Sequence, residues 1–148
     1  MPSILLVDDE RIVRTLLAVA LRRRHHEVLE AGTARRAIKV AANADRIDLL
    51  VSELSLPRMS GIDLAAKLGE QHQRMRVLFL SRTPHPEHTE ERARASGYTV
   101  LREPFTVSDL LATVAKLLDA PADVRKPARS AGSSQSGAAV NHNAGSMG

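Results

Sequence analysis

Six oxygen-bearing side chains have the types and positions to do chemistry: Asp8, Asp9 and Glu10 in "VDDE", Glu53 in "SELSLP", Ser81 in "FLSR" and Glu103 in "REPF". Carboxylates gathered in such number would suit a hard divalent cation such as Mg2+, which takes oxygen ligands and usually keeps several waters. Read alone, Asp8 or Asp9 could serve only to cap a following helix; the pair together with Glu53 points to a site. The chain has no cysteine, which excludes a disulfide framework, a thiolate zinc site and a cysteine nucleophile. No Gly-rich phosphate loop or second catalytic motif accompanies the carboxylates, so a Mg2+-dependent phosphohydrolase is unsupported and the chain is not expected to be an enzyme. His85 and His88 flank Pro86 without a third ligand, and His25 and His26 suit a helix end better than a metal.

Side chains so far apart in sequence need a scaffold to bring them together. Ser3 to Val7 ("SILLV") is a short, continuously apolar run ending in acids, as expected of a strand covered on both faces. Glu10 to Arg24 switches to helical spacing, with Ile12, Val13, Leu16, Leu17, Ala20 and Leu21 on one stripe and arginines on the other. The alternation then repeats: strand 27–31, helix 33–44 with Thr33 as N-cap, strand 47–52, helix 61–71, strand 76–81, helix 86–96 ending at Gly97, strand 98–102 and helix 108–120. Five such units predict one α/β domain over residues 1–120, a three-layer, doubly wound parallel five-stranded sheet, because right-handed crossovers need a helix to return the chain. From Pro121 onward "PADVRKPARSAGSSQSGAAVNHNAGSMG" is rich in Ala, Gly, Ser and Pro without apolar periodicity, and reads as a disordered basic tail.

Composition narrows the partners. Of 148 residues 43% are hydrophobic but only 2% aromatic, so the core is aliphatic and stacking platforms for single-stranded nucleic acid are nearly absent. The net charge of +4 is mild and reads as a solvated surface, so nucleic acid is not the expected partner. "MPSILLVDDE" has neither a basic leader nor an apolar run long enough for a membrane span, which makes the cytoplasm the expected location.

In an open parallel sheet the loops after the strand carboxyl ends converge on one edge, and all six oxygen-bearing residues fall there. So arranged, the sequence resembles a receiver domain of bacterial two-component response regulators from Ser3 to about Asp119. "ILLVDDE" is similar to the family's first strand and acidic pair, and "DLLVSELSLPRMSGIDL" to the segment carrying the phosphoacceptor, including Leu56, Pro57, Met59 and Gly61. "VLFLS" resembles the strand ending in a Thr or Ser, and "LREPF" the Lys-Pro-Phe turn. The resemblance implies a flavodoxin-like fold of strand order 2-1-3-4-5, an Asp phosphorylated from a histidine kinase, Mg2+ on the acidic pair, and a Lys on the phosphoryl group. By position Asp8 and Asp9 are the metal pair and Ser81 the coupling hydroxyl, all retained. Glu53 stands at the phosphoacceptor position and Glu103 at that of the Lys. Val100 replaces the switch aromatic, Arg82 replaces the small residue after the hydroxyl, and Pro104 follows a peptide that is cis in the family.

Glu is one methylene longer than Asp, so its carboxylate projects roughly 1.5 Å further. In-line transfer depends on placement to about an ångström, so phosphorylation of Glu53 is expected to be strongly impaired. Glu103 puts an anion where a cation would stabilise transferred charge. Unit charges about 4 Å apart repel by roughly 4 kcal/mol at an effective dielectric of about 20, so Asp8, Asp9, Glu53 and Glu103 cannot all sit ionised, close and unpaired. Three remedies are open: bound Mg2+ or Ca2+, raised carboxyl pKa values, or an arginine, for which Arg82 is the candidate, crossing the pocket to Glu53 or Glu103. The expected function is a receiver-like signalling module acting by protein–protein contact without phosphorylation. By resemblance, its partner is a histidine kinase or downstream signalling protein. The contact face is the fourth helix, fifth strand and fifth helix, including Arg92, Arg94, Tyr98, Val100, Arg102 and Lys116. The alternative is a working phosphorelay receiver phosphorylated on Glu53 with Mg2+.

Overall fold

The computed structural model describes residues 1–82 and 88–120. The expectations at His85 and Pro86 and for the tail 121–148 lie outside these residues. Strands β1 (Ser3–Val7), β2 (Glu27–Ala31), β3 (Leu49–Glu53), β4 (Arg76–Ser81) and β5 (Thr99–Arg102) alternate with helices α1 (Arg11–Arg23), α2 (Ala34–Asn43), α3 (Gly61–Gln71), α4 (Thr89–Ala95) and α5 (Val107–Asp119). All strand pairs are parallel, in the order β2-β1-β3-β4-β5. This is the flavodoxin-like arrangement that the resemblance implied.

Successive strand residues point to opposite faces, and each face buries a separate aliphatic layer. Leu5, Val7, Leu50 and Phe79 pack with Ala37 and Ala41 of α2 and Leu64 and Leu68 of α3. Ile4, Leu6, Val51 and Leu78 pack with Leu17 and Leu21 of α1 and Leu110 and Val114 of α5. Every residue of β1 and β3 is buried, which is why Ile4–Val7 and Leu49–Val51 read as continuous apolar runs, and it makes Ser52 and Glu53 buried polar residues. Helix starts carry their own caps: Thr33 accepts from the Arg36 amide at 3.0 Å and Ser60 from the Asp63 amide at 3.1 Å, while Thr106 and Asp109 form a reciprocal box.

Three expectations need correction. The six-residue apolar stripe expected on α1 is wider than the face the sheet covers. Leu17, Ala18 and Leu21 are buried, but Ile12 and Leu16 are 83% and 58% exposed, because 100° per residue carries them round to the solvent side. Helix α4 begins at Thr89, since His88 has φ 66 and cannot continue a right-handed helix backward. Strand β3 runs to Glu53, so that acid is the last residue of the ladder rather than the first of the loop.

Candidate functional site

The carboxyl ends of β1, β3 and β4 lie side by side, with Val7 opposite Ser52 and Glu53 opposite Leu80. The residue after Glu53 is fixed by both of its backbone groups. The Leu54 amide donates to the Leu80 carbonyl at 2.9 Å, and the Gly61 amide donates back to the Leu54 carbonyl at 2.8 Å. A Cβ on Gly61 would lie 2.6 Å from the Glu53 carbonyl oxygen and 2.8 Å from the Phe79 ring, so only glycine lets α3 begin against the strand end. Between them the chain turns through Arg58 at φ 70, with the Met59 amide donating to the Pro57 carbonyl at 2.8 Å, a three-residue turn.

Asp8 and Asp9 part company. Asp8 is fully buried, and its Oδ1 accepts from the Glu10 amide at 2.8 Å. Its carbonyl accepts from Arg14 Nη1 at 2.9 Å, and Arg14 also pairs with Glu30 of β2 at 3.3 Å. Asp9 is exposed. Neither is the cap of α1, whose N-cap residue is Glu10, with no side-chain cap bond.

Arg82 is the hub. Its Nη2 lies 2.7 Å from Asp8 Oδ2 and 3.1 Å from Glu53 Oε2, its Nη1 2.9 Å from Glu10 Oε1, and its Nε 3.3 Å from Glu103 Oε2. Only the Asp8 contact has hydrogen-bond alignment. Glu53 Oε2 is buried without a directed hydrogen bond although Arg82 Nη2 lies 3.1 Å away, so the two groups are close without being bonded. Burial pushes the Glu53 carboxyl up to about 8; Arg82 opposes the shift, while Asp8, Glu103 and Asp9 add to it. Burial also raises Asp8, against the Glu10 amide and Arg82. The crowded edge therefore uses two of the three remedies at once, a pairing arginine and raised carboxyl pKa values.

Ser81 faces the other way. Its Oγ donates to Glu90 Oε2 in the first turn of α4. Glu90 also accepts from Arg102 Nη2 at 2.7 Å and from Arg94 Nη1 at 3.3 Å. The Arg102 bond first, then Ser81 and Arg94, hold its carboxyl down at about 2. Sequence reasoning missed Glu90. The only signal was its i, i+4 spacing to Arg94, and nothing local announces the reach to β4 and β5.

Glu103 is half-exposed, its amide donates to the Ser81 carbonyl at 2.9 Å, and the Glu103–Pro104 peptide is cis. Val100 sits opposite Phe79 in the ladder, and the ring on that face comes from Tyr98, edge-on to Phe79 at 5.3 Å. Of the expected contact face, Arg92, Arg94, Arg102 and Lys116 are exposed, whereas Tyr98 and Val100 are partly buried against the core.

The family's Mg2+ does not fit these residues as they stand. One Asp8 oxygen is taken by the Glu10 amide and the other by Arg82, whose guanidinium also meets Glu53. Among the described residues no group of three or more His, Asp or Glu side chains is disposed to hold a metal ion.

A doubly wound parallel sheet of this strand order, with its acids collected beyond the strand carboxyl ends, defines the class of flavodoxin-like α/β domains. The chain belongs to the response regulator receiver domain family of two-component signalling, whose description matches residues 4–115. Among curated proteins it is similar to the probable transcriptional regulatory protein TcrX of Mycobacterium tuberculosis, 30% identical over 78% of this chain and 49% of that protein. Among solved structures it is similar to the chemotaxis protein CheY4 of Vibrio cholerae, 28% identical, with a TM-score of 0.70 over 79% of this chain and 98% of that one. The receiver domain of the hybrid histidine kinase CckA is 32% identical, with a TM-score of 0.65 over 78% and 98%. The chain spans about half the length, or less, of the first curated relatives it matches. Receiver domains are in general signalling modules rather than enzymes, and among the described residues no helix is long and apolar enough to cross a membrane.

Proposed function

We propose that this domain is a receiver-like module that signals by protein–protein contact without phosphorylation at Glu53. One observation carries the reading: acids occupy both the acceptor position and the cation position, and both lie against the same guanidinium. Phosphoryl transfer to a carboxylate needs an ionised, approachable nucleophile and a cation for the phosphoryl oxygens. Glu53 has a side chain only 5% exposed, with a carboxyl pushed up to about 8, so it is mostly protonated at neutral pH. Arg82 stands where a phosphodonor would approach, and Glu103 adds negative charge where transferred charge needs the opposite.

In this reading the domain works in the cytoplasm as a binding partner rather than a catalyst. Its partner is a histidine kinase or a downstream signalling protein that meets α4, β5 and α5, where Arg92, Arg94, Arg102 and Lys116 are exposed. Incubation with acetyl phosphate and Mg2+, followed by intact-mass spectrometry, tests the first half. The expected result is no phosphoryl adduct on the wild type or on Glu53→Ala. An adduct present on the wild type and lost in Glu53→Ala would establish a working phosphorelay receiver instead.

A further inference from the structure

Arg82 Nη2 lies at the point shared by two carboxylates, 2.7 Å from Asp8 Oδ2 and 3.1 Å from Glu53 Oε2. A divalent ion held by this edge would have to bridge the same two groups. Mg2+ demands oxygens at about 2.0–2.1 Å in a near-octahedral shell, and a guanidinium nitrogen already between the two carboxylates leaves no such position. The arginine is also anchored from further directions, by Glu10 before α1 and by Glu103 after β5, and its side chain is only 22% exposed. Because guanidinium does not lose its proton in proteins, this is a permanent charge. Because it is tethered, its local concentration does not depend on the solution.

We propose that Arg82 is the resident cation of this pocket, occupying the place of a divalent ion, so that the folded domain neither binds nor responds to Mg2+. The inference shares its pocket with the proposed function but stands on a separate observation, the shared Nη2 position. Removing the guanidinium should free Asp8 and Glu53 as oxygen donors beside the already exposed Asp9 and convert the pocket into a cation site. A cation carried by the chain has a second consequence. It ties β4 to β1, β3 and the β5–α5 connection at all times, whereas a diffusible ion would do so only when bound.

The test uses the full chain, with Arg82→Ala and with Arg82→Gln, which keeps much of the length and a hydrogen-bond donor but removes the charge. Mg2+ is added in a calorimeter and in thermal unfolding, against NaCl of matched ionic strength. Traces of Mn2+ are added in a separate NMR titration that reads paramagnetic broadening of amide signals. For the wild type the expected result is no saturable heat, no Mg2+-specific change in Tm and no selective broadening at Asp8, Asp9 and Leu54. For the variants it is saturable Mg2+ binding, a Tm raised by Mg2+, and broadening at those amides. Saturable wild-type binding with broadening at those amides overturns the proposal, as does a folded variant that ignores Mg2+. If neither variant folds alone, recovery of the fold with Mg2+ but not NaCl supports it, and failure to recover overturns it. Phosphoryl transfer is not read in this experiment, so an adduct on Glu53 would defeat the proposed function without deciding metal exclusion.

Discussion

Glu53 and Arg82 divide the work of neutralising one crowded edge, and the division has a pH signature. The carboxyl of Glu53 stands at about 8 in the folded chain against an ordinary value of 4.5. Between those values the folded state keeps a proton that the unfolded chain releases. Its contribution is therefore fully present below about pH 4.5 and is lost as pH rises through about 8. Glu53→Gln keeps the shape and cannot ionise, so it should match the wild type near pH 5 and exceed it near pH 8.5 by about 1–3 kcal/mol in urea titrations. Parallel pH curves for the two proteins would rule this out. The meeting of Arg82 with the acids was legible in advance because topology alone puts the loops after β1, β3, β4 and β5 on one edge. The different fates of Asp8 and Asp9 were not, since which of two adjacent side chains turns inward depends on the Arg14 and Glu10 contacts made after folding.

Among the elements, the start of α3 and the end of α1 each depend on one backbone position. Gly61→Ala would drive a methyl against the Glu53 carbonyl, which cannot swing away as a flexible side chain would. A loss of about 1–3 kcal/mol in chemical denaturation is expected, with shifted NMR signals at Glu53 and Leu54. Helix α1 ends with His25 at φ 67, the His25 amide donating to the Arg22 carbonyl at 3.0 Å and the His26 amide to the Leu21 carbonyl at 3.4 Å. That is a glycine position filled by histidine, so His25→Gly should stabilise the domain by about 0.5–1 kcal/mol. On the same helix Leu17→Ala should cost about 2–5 kcal/mol, and Leu16→Ala should stay within about 0.5 kcal/mol. The sequence pattern treated those two leucines alike, because periodicity locates an apolar side of a helix but not how much of it a neighbouring sheet will cover.

For the molecule as a whole, the element sequence was readable from alternating apolar runs and the strand order from the resemblance of the site motifs to the receiver family, whereas coupling across the sheet was not. Adjacent residues at the end of β4 serve opposite networks: Arg82 gathers acids from β1, β3 and the β5–α5 connection, while Ser81 reaches Glu90 of α4, which also holds Arg102 of β5. Glu90 thus fastens a short helix and a four-residue edge strand, the two elements with the least core of their own. Its carboxyl is held down at about 2 against an ordinary 4.5, so this fastening is fully present above about pH 4.5 and is lost as pH falls through about 2. Glu90→Gln removes the charge at every pH. In hydrogen exchange near neutral pH it should speed the amides of α4 and β5 by about tenfold or more while leaving β1, β2 and β3 unchanged. Faster exchange across all five strands would mean that Glu90 supports global stability. Unchanged exchange in α4 and β5 would mean that the short helix is held by Ala93 and the core, and that the Glu90 network is not what ties this face to the sheet.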